Sequence, residues 1–371
     1  MKIEEIDKNF AVTSMDGLDF VFMKVPCEPF VLDGMPFFKQ NNGVFCRVPV
    51  DTLPQQNDGI KELAWHTAGV QLRFRSNTQL IALRVKLRNN PSMPHMAYTG
   101  SSGFDLYCGT GTSRKYVATA RPVENADEYN VLVFDARGIN DNITASPAID
   151  YVPGTHLREF TLNFPTYNGL RELEIGLQPN AVVEKPAPFR IEKPVVFYGS
   201  SITQGGCASR PGNVYIQHLS RRLDANVVNL GFSGSCRAEN IMADVINSLD
   251  MSAFVYDYDH NAPSPEFLRE THEKFFKLLR AAHPELPVIF VSKPDTDSNI
   301  TVSAERRDIV KATFENAIAA GDRKVFFVDG FTLFGVKDRD ACTVDGCHPN
   351  DIGFLRMADA IEPALRKALG I

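Results

Sequence analysis

Near residue 190 the hydrophobic period of this chain changes, and that change limits the possible folds more than any other feature. Upstream, apolar and polar residues alternate: Val70, Leu72 and Phe74 interleave with Gln71, Arg73 and Arg75. Leu83, Val85 and Leu87 repeat the pattern against Arg84, Lys86 and Arg88, and Phe160, Leu162, Phe164 and residues 170–175 continue it. A period of two marks strands with one buried face. Turn signals at Arg88-Asn-Asn-Pro91 and Ser101-Ser-Gly103 punctuate the runs. Short alternating strands without convincing helices predict a β-sandwich or jelly roll.

Downstream, the pattern is of short, wholly apolar runs: Pro194-Val-Val-Phe-Tyr198, then residues 227–230, 253–256, 288–291 and 325–328. Helix-sized segments separate them. Runs apolar on both faces belong to parallel strands buried between layers, and strands alternating with helices give a three-layer α/β/α architecture. One helix is expected over 214–223. A second opens at Ser264-Pro265-Glu266, with an N-cap serine and a proline in the first turn; Leu268, Phe275 and Leu279 lie on one of its faces. The last begins near Asn350 and carries Ile352, Leu355, Ile361 and Leu365. Residues 186–194 join the halves, so the expected domains are 1–187 and 188–371. At 371 residues the chain is long enough for both.

Acidic residues outnumber basic ones, 45 to 39, a balance that repels phosphate backbones and argues against nucleic acid as a partner. No apolar run approaches the length of a membrane-spanning helix. The opening MKIEEIDKNF lacks the basic and apolar regions of a signal peptide. Seven scattered cysteines, an odd number, read as free thiols. Together these features predict a cytoplasmic protein.

In open α/β sheets, ligands sit beyond the carboxyl ends of the strands. Four polar clusters follow apolar runs there: Gly199-Ser-Ser-Ile-Thr-Gln-Gly205, Asn229-Leu-Gly-Phe-Ser-Gly234, Asp257-Tyr-Asp-His-Asn261 and Asp345-Gly-Cys-His-Pro349. Acyl transfer to a hydroxyl needs a nucleophile, a base, a group orienting the base, and oxyanion donors. Ser201 can supply the hydroxyl, His348 the base and Asp345 the orienting carboxylate. The backbone N–H groups of Ser201 and Gly234 and the side-chain amide of Asn261 can serve an oxyanion.

These blocks resemble those of the SGNH (GDSL-type) hydrolases, which place Ser, Gly, Asn and His in this order. The likeness covers residues 195–371 and is strongest to a bacterial branch with GSSITQGG, NLGFSGS and DGCHPNDIGF; Gly103-Phe-Asp-Leu-Tyr107 resembles the GxDLY signature of the β-rich domain preceding such hydrolases. The resemblance implies a flavodoxin-like catalytic domain behind the β-sandwich. It implies Ser201 as nucleophile, Asp345 and His348 completing a triad, and Gly234 and Asn261 in the oxyanion hole. The chain departs from the family at Gly199-Ser200-Ser201, where Gly-Asp-Ser is usual and two serines now compete, and at Asp259-His260-Asn261-Ala262, where Gly-x-Asn-Asp is usual. The expected activity is hydrolysis of a small acyl ester, an acetyl group on a small molecule or oligosaccharide.

Alternatives are acyl transfer to another alcohol by the same residues, or a non-catalytic sugar-binding protein on an inactive hydrolase scaffold. Asp257-Tyr-Asp259 also resembles the Asp-x-Asp of haloacid-dehalogenase-type phosphatases. Cys342, Asp345, Cys347 and His348 lack the two separated ligand pairs of a structural zinc site, so no metal is expected, and no cofactor. Arg210 can hold a carboxylate or sugar hydroxyls or pair with a nearby acid. Asp105 and Tyr107 can reach the cleft from the first domain, with Asp105 otherwise a buried turn residue. Cys207, Cys236 and Cys347 read as small packing residues.

Overall fold

The computed structural model describes residues 12–90, 93–136 and 157–371; the charged opening stretch and Pro91 of one expected turn fall outside them. The alternating half forms two antiparallel sheets. The first has the order β1 (Val12–Met15), β2 (Leu18–Lys24), β10 (Leu170–Leu177), β5 (Leu80–Leu87), β8 (Glu128–Asp135). The second runs β11 (Val183–Glu184), β4 (Gln71–Ser76), β9 (Arg158–Asn163), β6 (Phe104–Cys108), β7 (Lys115–Ala120), with β3 (Val31–Asp33) also paired to β4. Both sheets contribute to one apolar core, Met23, Leu83, Val85 and Ile175 from the first and Leu72, Phe74, Leu106 and Phe160 from the second. Two short helices, α1 (Asp58–Leu63) and α2 (Tyr98–Ser101), lie in the connections.

The polar-out expectation fails on β4. Gln71 and Arg73 are almost as buried as Leu72, because the second sheet's other face is covered as well. Gln71 Nε2 donates to Gln217 Oε1 (2.7 Å) in the second half, and Arg73 pairs with Asp33 (2.7 Å) and bonds the Ala187 carbonyl. Alternation records which residues meet the apolar core, and it is blind to a polar face buried by a neighbouring layer.

The second half is a parallel sheet of order β13 (Ala225–Gly231), β12 (Ile191–Gly199), β14 (Ala253–Asp257), β15 (Val288–Val291), β16 (Val325–Val328). Successive residues of β12 enter different cores: Val196 and Tyr198 pack with α5 (Asn240–Asn247), α6 (Pro265–Ala282) and α7 (Ile300–Ala319), whereas Val195 and Phe197 pack with α4 (Tyr215–Leu223), α8 (Gly330–Leu333) and α9 (Asp351–Leu369). This burial on both faces explains the unbroken apolar runs. The order 2-1-3-4-5 reverses direction at β12, and ligands bind beyond the carboxyl ends at such a point. Among the described residues no helix is long and apolar enough to cross a membrane.

Helix α6 begins as its sequence dictates: Ser264 Oγ accepts from Phe267 N (3.2 Å) and Pro265 is in the first turn. On α9 only part of the apolar set faces the core. Phe354, Met357, Ala358, Ile361 and Leu365 are buried, while Ile352 and Leu355 are about half exposed. The buried set follows the i, i+3, i+4, i+7 rule that Ile352 and Leu355 break.

The halves are cemented by Asp105. It lies in β6, not in a turn, and is 0% exposed. Its Oδ1 accepts from Asn163 Nδ2 (2.8 Å), and its Oδ2 accepts from Arg210 Nη1 (2.6 Å) and Gly212 N (2.9 Å). Arg210 Nη1 also donates to the buried Tyr107 hydroxyl (2.6 Å). Breaking a buried ion pair from one side leaves the other charge uncompensated, so Asp105→Ala is expected to cost about 3–5 kcal/mol. Chemical denaturation reads that loss. Activity per folded molecule should change equally on small and bulky esters; a selective loss on bulky ones would instead put Asp105 in contact with substrate.

Candidate active site

Strand β12 ends at Gly199, where a side chain would collide with Thr203 Oγ1 and the Asp257 carbonyl. The chain turns directly into α3 (Ser201–Gln204), and the two adjacent serines take different partners. Ser200 is the N-cap: its Oγ accepts from Ile202 N (3.1 Å). Ser201 Oγ instead lies 3.0 Å from His348 Nε2. His348 comes from the loop before α9, which is pinned by Val344 N donating to His348 O (3.0 Å) and by Cys207 N donating to Pro349 O (2.9 Å). His348 Nδ1 is 2.8 Å from Asp345 Oδ2, while Asp345 Oδ1 accepts from the backbone N–H groups of His348 (2.7 Å) and Cys347 (3.0 Å). Hydroxyl, imidazole and carboxylate thus form one hydrogen-bonded series at the carboxyl edge of the sheet.

Gly234 lies in the loop after β13 with φ of +65° and open space where a side chain would project. Asn261 ends a single helical turn, Asp259–Asn261, after β14. Its Nδ2 donates to Phe232 O (2.8 Å), which orients the amide and leaves its second N–H for another acceptor.

The strand-rich half props these loops. Tyr167 OH donates to Ser201 O (3.1 Å), and Arg47 Nη1 donates to the carbonyls of Asn229 and Gly231 (both 2.8 Å). Gln204 Nε2 reaches His66 Nδ1 (3.0 Å) and Thr166 O, and Gln204 Oε1 accepts from Ser233 N (3.0 Å). His95 brings its ring to 5.9 Å from that of His348. With Ala97, Cys207, Ser209, Asn350 and Asp351 it lines a cavity of about 300 Å³. A separate cleft of about 880 Å³ among residues of α6 and α7 such as Phe276 and Arg280 contains none of the site residues.

Arg210 takes the second of its two expected roles, pairing with an acid: its Nη1 donates to Asp105 Oδ2 and to the Tyr107 hydroxyl. The phosphatase-like pair is occupied internally: Asp257 accepts from Thr203 Oγ1 (3.0 Å) and Tyr215 OH (2.9 Å), and Asp259 from Arg306 Nε (2.8 Å) and Lys293 N (2.8 Å). Burial pushes the Asp257 carboxyl up to about 7, against those two hydroxyls. Cys207 and Cys236 are buried packing residues, as expected, but Cys347 is not: it is half-buried, with Sγ 3.2 Å from His260 Nε2. His95, Tyr167 and Arg47 escaped sequence reasoning because they reach the site from distant segments; His260, beside Asn261, reads from sequence equally as a solvated or capping residue and as a functional one.

Two family models match the chain: the GDSL-like lipase/acylhydrolase family over residues 192–366 and the N-terminus of SGNH-hydrolase-type esterases over residues 21–183. The chain belongs to the SGNH (GDSL-type) esterases. A solved protein described as a GDSL-like lipase, from Bacteroides ovatus, is 28% identical, with a TM-score of 0.81 over 94% of this chain and 98% of its own. Two further structures share the fold at lower identity. A salicylyl-acyltransferase from a tetracycline biosynthetic pathway is 18% identical, with a TM-score of 0.69 over 95% of this chain and 98% of that one. A family two carbohydrate esterase from Clostridium thermocellum, solved with cellohexaose, is 13% identical, with a TM-score of 0.58 over 82% and 94%. No curated protein matches by sequence. An SGNH esterase of this kind therefore has both segments of its architecture, the β-rich one first.

Proposed function

We propose that this esterase removes a small acyl group, an acetyl, from a carbohydrate by a serine mechanism, with residues 1–187 and 188–371 as its two domains. The carrying observation is the series Ser201 Oγ, His348 and Asp345, with contacts of 3.0 and 2.8 Å. His348 Nε2 takes the Ser201 proton as Oγ attacks the ester carbonyl. Asp345 holds Nδ1–H and stabilises the imidazolium that forms. The N–H groups of Ser201 and Gly234 and the free N–H of Asn261 receive the oxyanion. The imidazolium then protonates the leaving alcohol, and water, activated by the same base, hydrolyses the acyl-enzyme.

The cavity of about 300 Å³ lined by His95, Cys207 and Asn350 adjoins the site through His95, whose ring is 5.9 Å from that of His348, but none of Ser201, His348, Gly234 and Asn261 is among its lining residues. His95 carries the first domain to its edge, so both domains contribute to the cleft in this reading. Sugar as the alcohol is favoured by the carbohydrate esterase that shares the fold. The test is a panel of p-nitrophenyl esters of increasing acyl length beside acetylated oligosaccharides, with and without an added alcohol acceptor. Acetate release from the sugars, with rates falling beyond short acyl chains, is expected. Preference for long acyl chains, or acyl capture by the alcohol in place of water, would replace this reading.

The pH profile adds a prediction. The neighbouring Cys347 thiol favours the charged form of His348, burial opposes it and Asp345 adds to it, raising the imidazole to about 9. A base works only when neutral, so kcat/KM should rise with pH toward that value, not near 6–7 as for an ordinary histidine base. In chelator-treated enzyme, Cys347→Ser should move the limb down toward the ordinary value. A limb that stays in place would mean the thiol does not act on His348.

A further inference from the structure

Beside that series lies a second group of side chains, none of which bonds to substrate or transfers a proton in the proposed ester hydrolysis. His260 follows β14, Asp295 follows β15, and Cys347 precedes His348. One nitrogen, one carboxylate oxygen and one sulfur of these residues lie within 4.8 Å of one another. His260 Nε2 is 3.2 Å from Cys347 Sγ and 3.3 Å from Asp295 Oδ1. A ring nitrogen carries at most one proton, yet two acceptors converge on it. Asp295 Oδ1 is the atom left out. Its side chain is only 7% exposed, and among the described residues no aligned hydrogen bond reaches it. A buried carboxylate oxygen whose neighbouring donor, His260 Nε2, is not aligned with it is poorly satisfied. The other oxygen, Oδ2, accepts from Lys293 Nζ (3.1 Å), which fixes the plane of the carboxylate.

We propose that His260, Asp295 and Cys347 bind one divalent cation of the zinc class. Imidazole nitrogen, thiolate sulfur and carboxylate oxygen are the donors such a borderline cation takes, whereas magnesium and calcium prefer oxygen alone. Tetrahedral zinc with bonds of about 2.0–2.1 Å to N and O and about 2.3 Å to S sets an N–O donor pair roughly 3.3 Å apart and an N–S pair roughly 3.5 Å apart; the His260–Asp295 separation of 3.3 Å matches, and the His260–Cys347 separation of 3.2 Å would open by a few tenths of an ångström on binding. The cation takes the place of the proton on Nε2 and of any proton on the thiol, and both protons pass to solvent. Three protein donors leave a fourth position for water. Asp345, Cys347 and His348 form an overlapping cluster, but both oxygens of Asp345 and both nitrogens of His348 already have partners there. The cation is not required for acyl transfer, and its binding does not depend on Ser201 being the nucleophile.

The test uses the full chain, stripped of metal. Titration with Co²⁺ should give one equivalent bound and a thiolate-to-cobalt charge-transfer absorption. Zn²⁺ calorimetry should give the same stoichiometry. His260→Asn and Asp295→Asn should each weaken Zn²⁺ binding by about 10–100-fold or more, given what loss of even an outer-sphere partner costs. Cys347→Ser should abolish the charge-transfer band, and His348→Asn should leave binding in place. Because a variant can fail to fold, the wild-type chain supplies a second readout: one equivalent of Zn²⁺ should slow alkylation of Cys347 at least about tenfold. The proposal is overturned by absence of stoichiometric binding, by unprotected Cys347, or by affinity that follows His348 and not His260.

Discussion

Ser201→Ala is expected to lower kcat by on the order of 10³-fold or more, with the fold intact. The loss follows from position: Ser201 Oγ is the hydroxyl in contact with His348 Nε2, at 3.0 Å, and without it the base has no proton to take. Binding and oxyanion donors survive the substitution, so KM should change little. Ser200→Ala makes the contrast. Its hydroxyl caps α3 and is 1% exposed, so its removal should cost about 1 kcal/mol of stability and much less turnover. Steady-state kinetics beside thermal melts separate the two effects. Abolished turnover in Ser200→Ala with activity kept in Ser201→Ala would reverse the assignment.

Asp345→Asn should lower kcat by on the order of 10³–10⁴-fold. Asp345 Oδ2 accepts from His348 Nδ1, which leaves Nε2 lone-paired toward Ser201. An amide NH₂ in that place donates to Nδ1 and fixes the proton on Nε2, the tautomer that cannot act as base. The amide's oxygen can still face the N–H groups of Cys347 and His348 that Asp345 Oδ1 now serves, so the loop should hold. The melting temperature should therefore stay near that of the wild type. An unchanged rate would make Asp345 a loop cap only.

Much of this was legible in sequence because the relevant signals are local. The period change at residue 190 separates antiparallel sheets from a parallel one, and each apolar run became a strand. Asp345 and His348 are three residues apart, so one loop can carry both. What escaped was set by packing between halves. Arg73 and Gln71 look like solvent-facing residues until a second layer buries them. Asp105 looks like a turn residue until Arg210 and Gly212 bind it from the other half. The same applies to His260, Asp295 and Cys347, which lie on three separate loops: their sequence positions, 260, 295 and 347, carry no spacing signal.

Cys347 also supplies the sharpest rival for the nucleophile. Burial would raise its thiol, but the imidazoles of His260 and His348 prevail and bring it down to about 7, so part of it is thiolate at neutral pH. Reaction with a phosphonofluoridate ester, followed by peptide mass mapping, decides between them. A single adduct on Ser201, formed in step with loss of esterase activity and absent from His348→Asn, is the expected result. An adduct on Cys347 or Ser200 that tracks inactivation, with Ser201 unmodified, would contradict the serine mechanism.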